Sequence, residues 1–159
     1  MRDDTAQKLA EEELEQSSRR ADNILESISD GFYALDGEWR FTYINKNSEK
    51  LTFRSRDELL GKVFWEEFPE AVGSTFERNY RRAMSRQTAV VSEEFYPPLD
   101  TWFEVRAYPS PDGLSIYFHN ITERKRAELD RKFLFEIAEK IRRADAAEDL
   151  LFAVAVAVG

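Results

Sequence analysis

At 159 residues, the chain can hold one domain of ordinary size with helical extensions, and it is too short for two complete domains with separate cores. Hydrophobic residues at 42% and charged residues at 34% are the composition of a folded protein, and a formal charge of -8 has the wrong sign for gripping a phosphate backbone, so no nucleic acid partner is expected. The absence of cysteine excludes disulfides, thiolate metal sites, thiol nucleophiles and sulfur-linked chromophores, while a single histidine, His119, leaves any metal site or Ser-His-acid triad short of partners.

The first predicted element, within residues 1–29, is an amphipathic helix. No proline or glycine falls between Asp4 and Ser29, and Ala10, Leu14, Ser17, Ala21, Ile24 and Ile28 recur at alternating steps of four and three, the spacing of a coiled-coil seam. Ser17 and the alanines weaken that seam, which leaves two arrangements open: a packed or dimeric helix, and a solvated helix lying on its own domain. Gly31 ends the helix. Phe32–Asp36 and Arg40–Asn45 then read as two short strands joined through Asp36-Gly37, a hairpin signal. Asn45 is placed to cap a short helix through Leu51, and Ser55 with Glu58 and Ser74 with Glu77 form two capping boxes, the second opening a helix over Thr75–Gln87.

Three further strands are predicted at Ala89–Tyr96, Thr101–Pro109 and Gly113–Ile121, separated by the proline-rich turns at 97–100 and 110–113. Phe103, Val105 and Ala107 alternate with Trp102, Glu104, Arg106 and Tyr108, and Leu114, Ile116 and Phe118 alternate with Ser115, Tyr117 and His119. Both faces of the sheet therefore carry aromatics, so its outer face needs a cover, and the N-terminal helix is the nearest candidate. From Thr122 to Arg143 the pattern is helical again, with Ala127, Leu134, Ile137, Ile141 and Ala144 on one stripe. Asp145 and Glu148 read as a box that starts a new helix, and Leu150–Val158 is apolar on every side, as in the start of a further domain, although its Ala-Val alternation also permits a strand. That run is about half of the roughly 20 residues a membrane-crossing helix needs, and the N-terminus is charged without an apolar signal core. No membrane span is expected in this segment, and the expected location is cytoplasmic.

Two strands, short helices, one longer helix, three strands and an exit helix is an order that resembles a PAS domain. The resemblance is carried by Ile24-Leu25-Glu26-Ser27-Ile28, Asp36-Gly37, Tyr43-Ile44-Asn45, Arg56-Asp57-Glu58-Leu59-Leu60-Gly61-Lys62 and Phe68-Pro69, then by Trp102-Phe103-Glu104-Val105, Pro111-Asp112-Gly113 and the exit stretch Asn120-Ile121-Thr122-Glu123-Arg124-Lys125. It implies an α+β fold over residues 30–122: a five-stranded antiparallel sheet of order 2-1-5-4-3, helices on one face around a ligand cavity, and the other face offered to flanking helices or a dimer partner. Residues 123–144 would then be a signalling linker helix, and Leu134–Gly159 resembles the opening helices of a GAF domain, with 145–159 as its truncated start.

The departures from the family pattern narrow the chemistry. Flavin-binding light sensors use a cysteine and a polar amide on the last strand, where this chain has no cysteine and Phe118; haem-binding members use a histidine on the long helix, which has none here. No cofactor is expected. His119, on the outward face by alternation, reads as a ring packed under a helix. A kinase would need a phosphoacceptor histidine and a glycine-rich nucleotide loop, and neither is present, so the segment is expected to be non-catalytic.

The proposed cavity wall is Phe64, Phe68, Phe76, Tyr80, Met84, Phe95, Phe103, Val105, Ile116 and Phe118, with Ala83 and Gln87 on the inner face of the long helix and Arg78, Arg81, Arg82 and Arg86 on its solvated face. So many rings either fill the space themselves or surround a small apolar or aromatic ligand. The surface for a homodimer or covering helix is Ala21, Ile24, Ile28, Trp102, Tyr108, Tyr117 and His119, and the signal exit is Asn120, Ile121, Thr122 and Arg124. The expected function is a PAS sensory and dimerisation module of a bacterial signalling protein, acting on an output domain of the same chain such as a histidine kinase. The alternative is a ligand-free interaction scaffold.

Overall fold

The computed structural model describes residues 2–158. Helix α1 (Arg2–Ser27) is followed by strands β1 (Gly31–Asp36) and β2 (Phe41–Ile44), short helices α2 (Lys46–Thr52), α3 (Arg56–Leu59) and α4 (Phe64–Glu67), helix α5 (Thr75–Arg86), strands β3 (Val90–Tyr96), β4 (Thr101–Ser110) and β5 (Gly113–Asn120), and helix α6 (Thr122–Val158). Two compact units result, one ending at Asn120 and one starting at Ile121.

The five strands form one antiparallel sheet of order β2-β1-β5-β4-β3, as expected. Alternation sends Tyr33, Leu35, Phe103, Val105, Ala107, Leu114, Ile116 and Phe118 to one face, where they join Phe41, Ile44, Leu59, Phe64, Phe76 and Tyr80 in a single core. The hairpin between β1 and β2 turns on Asp36, whose Oδ1 accepts from the amides of Glu38 and Arg40, both at 2.9 Å. At the start of β1 only glycine fits, since a Cβ on Gly31 would stand 2.6 Å from the Phe118 ring.

Each helical extension departs from one of the readings open in the sequence. Residues 4–24 of α1 are exposed, Leu14 at 72% and Ile24 at 61%, so the apolar stripe does not lie against the domain. Ala21 is exposed and Ile28 half-buried. The break expected at Asp145 is absent: α6 is one helix of 37 residues, and the apolar end at 150–158 continues it as helix rather than strand. With no glycine or proline between Thr122 and Val158, nothing offsets the low cost of extending a helix already nucleated.

Asn45 joins the parts of the first unit. It is fully buried and caps α2 as expected, its Oδ1 accepting from the Ser48 amide at 2.8 Å. The same oxygen accepts from the Phe32 amide at 2.9 Å, while Nδ2 donates to the carbonyls of Leu25 at 2.9 Å and Asp30 at 3.1 Å. The amide group is thus fully used. Asn45→Ala should cost about 3 kcal/mol or more, because it leaves several buried backbone groups unpaired. Asn45→Asp keeps the acceptor but sets a carboxylate against two carbonyls, so its deficit should shrink as acid protonates the group. Urea unfolding across pH measures both, and a loss within about 0.5 kcal/mol for the alanine variant would show that the hub is dispensable.

Candidate functional site

Between the inner face of the sheet and the helices lies a cavity of about 50 Å³. Its walls are mostly rings: Tyr33 packs edge-on to Phe41 at 5.4 Å between centroids and stacks near Phe64 at 5.8 Å, Phe64 stacks on Phe68 at 5.3 Å, and Phe103 meets Phe118 at 5.5 Å. Sites that bury organic ligands measure roughly 300–1,000 Å³, whereas one water's share of the liquid is about 30 Å³. The rings therefore occupy most of the space, and what remains suits a molecule of very few atoms. Among the described residues no group of three His, Asp or Glu side chains is placed to hold a metal.

Of the wall residues expected from sequence, Phe64, Phe68, Phe76, Tyr80, Phe103, Val105 and Phe118 line the cavity, and Met84, Phe95 and Ile116 do not. Ile116 is fully buried elsewhere in the core, and Met84 is a half-buried residue at its edge. Phe95 is on the outer face, 39% exposed and opposite Trp102, with 5.5 Å between ring centroids. On β3 the inward set is Val90, Ser92, Glu94 and Tyr96, so Tyr96 rather than Phe95 reaches the cavity. Gln87 also faces away: it is the exposed left-handed residue that ends α5, and its side chain donates to the Met84 carbonyl at 2.8 Å. Ala83 is buried as expected.

The wall residues missed from sequence include Tyr33, Ser48, Thr52, Leu59 and Tyr96. Tyr33 supplies the main polar feature, its hydroxyl lying 2.7 Å from that of Tyr80. Burial pushes both phenols well above the ordinary tyrosine range, so the pair is neutral. Burial and then the Glu70 carboxylate push Tyr96 up to about 12, and its hydroxyl donates to Glu70 at 3.3 Å. Thr52, Phe68 and Leu99 are the half-buried lining residues. Over Phe68 lies the Arg54 guanidinium, 5.9 Å from the ring centroid and paired with Glu67 at 2.6 Å and Glu58 at 2.9 Å. Glu94 is 7% exposed on the inner face and accepts from Asn79 Nδ2 of α5 at 2.8 Å. Burial raises its pKa, partly offset by Ser92, Asn79 and Arg78.

On α5, Arg78, Arg81, Arg82 and Arg86 are exposed, with Arg81 lying over Trp65 at 5.2 Å and Trp39 at 5.4 Å. The outer face of the sheet carries a chain of rings: Tyr43 to Phe32 at 5.7 Å, Phe32 to Tyr117 at 4.8 Å, and Tyr117 to Tyr108 at 5.7 Å. Trp102 and His119 share this face and are half-buried, and His119 Nδ1 is 3.7 Å from Asp30. At the exit, Asn120 ends β5 opposite Phe103, Thr122 and Arg124 fall in the first turn of α6, and the Lys125 amide donates to the Ile121 carbonyl at 2.8 Å.

A sequence model of the PAS fold matches residues 25–126, more than half of the chain. The chain belongs to the PAS family. No curated protein matches it in sequence. A solved PAS domain of a Colwellia psychrerythraea protein superposes with a TM-score of 0.56 at 18% identity, over 67% of this chain and 97% of the other. A sensory box sensor histidine kinase structure from Vibrio cholerae gives 0.51 at 16% identity, over 71% and 98%. An RNA-binding light-oxygen-voltage receptor gives 0.57 at 22% identity over 72% of this chain but only 36% of its own. At these identities the likeness is one of PAS fold. Nothing in the match or the fold supports a GAF-like start after Leu134: the match ends at residue 126 and the chain continues as a single helix.

Two outcomes test this PAS core. Tyr33→Phe or Tyr80→Phe alone strands one buried hydroxyl and should cost about 1–3 kcal/mol, while the double variant should cost less than the sum; additive losses in urea unfolding would show that the two hydroxyls do not act as a pair. For Glu94 the folded pKa lies above the unfolded one, so the unfolded chain ionises first as pH rises and the fold loses stability across that interval. Glu94→Gln should therefore raise the melting temperature at neutral pH, with the gain fading as pH falls below the ordinary carboxylate range. A gain constant with pH would contradict the burial argument.

Proposed function

We propose that this PAS domain is a sensory and dimerisation module of a multidomain, cytoplasmic bacterial signalling protein, non-catalytic itself and acting through α6 on an output domain such as a histidine kinase. The observation that carries the reading is the path of the central strand: Phe118 of β5 lines the cavity, and Ile121 alone separates β5 from α6. A change in packing at the cavity then has a short covalent route to a long helix. No helix among the described residues is long and apolar enough to cross a membrane.

The homodimer rests on exposed apolar surface. Leu14 and Ile24 of α1 and the outer-face ring of Tyr108, 42% exposed, leave apolar surface open to solvent, the kind of surface that marks a site of association. An isologous contact covers it on both copies at once. Light scattering at micromolar concentration should give the dimer mass, and Ile24→Asp or Tyr117→Ala should lower it; a monomer mass indifferent to both changes removes the proposal.

A second reading, a ligand-free interaction scaffold, is favoured by the cavity volume of about 50 Å³. Phase-shifting insertions in the full-length protein separate the two. One residue inserted near Asp130 turns the helix face beyond it by about 100°, and seven nearly restore it. Output should be locked or inverted by the first and near normal with the second, while Asn120→Asp should change the strength of regulation more than the fold. Equal output from the two insertions would make α6 a tether and favour the scaffold.

A further inference from the structure

The last turn of α1 is fastened to the PAS core at two points, the Leu25 carbonyl held by Asn45 and the carboxylate of Glu26. Glu26 accepts from the Lys46 amide at 3.1 Å, the Tyr43 hydroxyl at 3.2 Å and Arg56 Nη2 at 2.5 Å. Arg56 is itself fixed, its Nε donating to the Ile44 carbonyl at 2.9 Å and its guanidinium lying 5.6 Å from the Tyr43 ring centroid. Burial pushes the Glu26 carboxyl up, but these three donors outweigh it and hold the group below the ordinary carboxylate range. With side-chain exposures of 26% and 38%, the Glu26–Arg56 pair is partly withdrawn from solvent and less screened than a surface pair.

Two of the residues that hold Glu26 head elements that wall the cavity. Lys46 is the first residue of α2, which places Ser48 and Thr52 on the cavity; Arg56 is the first residue of α3, which places Leu59 there. Neither helix exceeds two turns, and a close-packed core passes a displacement on rather than absorbing it. We infer that α1 is a second lever of the domain: a molecule entering the cavity shifts α2 or α3, and through Lys46, Arg56 and Glu26 it reorients the last turn of α1. This rests on the cavity being the sensory site. Signals would then reach whatever α1 packs against, in addition to any that leave through α6.

Xenon, a single apolar atom, is the probe, dissolved under pressure and followed by amide and methyl NMR on the whole chain. In the wild type the Leu59 methyls and the amides of residues 25–28 should shift along one saturation curve. In Glu26→Gln and in Arg56→Met the Leu59 shift should persist, while the response at 25–28 falls about fivefold, the scale of a modest coupling. Shifts at Leu59 with none at 25–28 in the wild type overturn the lever and leave the cavity reading intact. No shift at Leu59 overturns the cavity reading, and the lever is then decided by Leu59→Ala, which should alter hydrogen exchange at 25–28, and less so when combined with Arg56→Met. Unchanged exchange ends the proposal.

Discussion

The structure depends on a buried amide. Asn45 pairs through its backbone with Phe32, the Asn45 amide donating to the Phe32 carbonyl at 2.9 Å, and through its side chain with four further backbone groups. Those groups belong to the end of α1, the turn before β1, the start of β1 and the start of α2, four segments that one side chain brings to a single point. An unpaired buried polar group is costly, and a network in which every member is satisfied allows few alternatives. The constraint therefore fixes where α2 starts, hence where Ser48 and Thr52 stand, hence one wall of the cavity.

Within that frame the interior trades volume for aromatic contact. Edge-on and stacked pairs among Tyr33, Phe41, Phe64 and Phe68 each add stabilisation beyond area burial, about 0.5–1.5 kcal/mol. Every ring turned inward also removes room for a ligand, which is why so large an aromatic complement leaves about 50 Å³. The Tyr33–Tyr80 hydroxyl pair satisfies itself, so the interior presents a nearly apolar environment to anything that enters. No charged side chain lines the cavity: at the rim Arg54 pairs with Glu58 and Glu67 and Glu70 receives the Tyr96 hydroxyl, and the buried Glu94 is taken up by Asn79.

Much of this was legible in the sequence because the signals were local. The caps at Asn45, Ser55 and Ser74 and the alternation in β4 and β5 are short-range patterns, and they hold. The order of the strands came from resemblance to a family, since pairing between distant strands leaves no mark at either one alone. β3 misled for a physical reason. Its inward face carries Ser92 and Glu94, so the apolar count favours the phase of Val91 and Phe95, and only pairing with β4 reveals that Glu94 is accommodated by Asn79 of α5. Tyr33 was readable by period, but its role was not: a hydroxyl pair formed across 47 residues of chain is invisible until the fold closes it. The box at Asp145 failed because an N-cap residue starts a helix only where the preceding one ends, and nothing ends α6 there.

The continuity of α6 has a mechanical meaning of its own. At about 1.5 Å per residue, a helix of 37 residues without glycine or proline is a lever with no built-in hinge. Under the proposed function, a rotation or translation imposed at Thr122 would be carried along it instead of being lost at a kink. The stripe of Leu134, Ile137 and Ile141 is 64%, 38% and 57% exposed, so the helix gains little from packing of its own, and a contact that covers the stripe would both stabilise it and choose its rotational setting. Phase and cover are then the same variable: the face that a contact covers is the face whose direction it fixes.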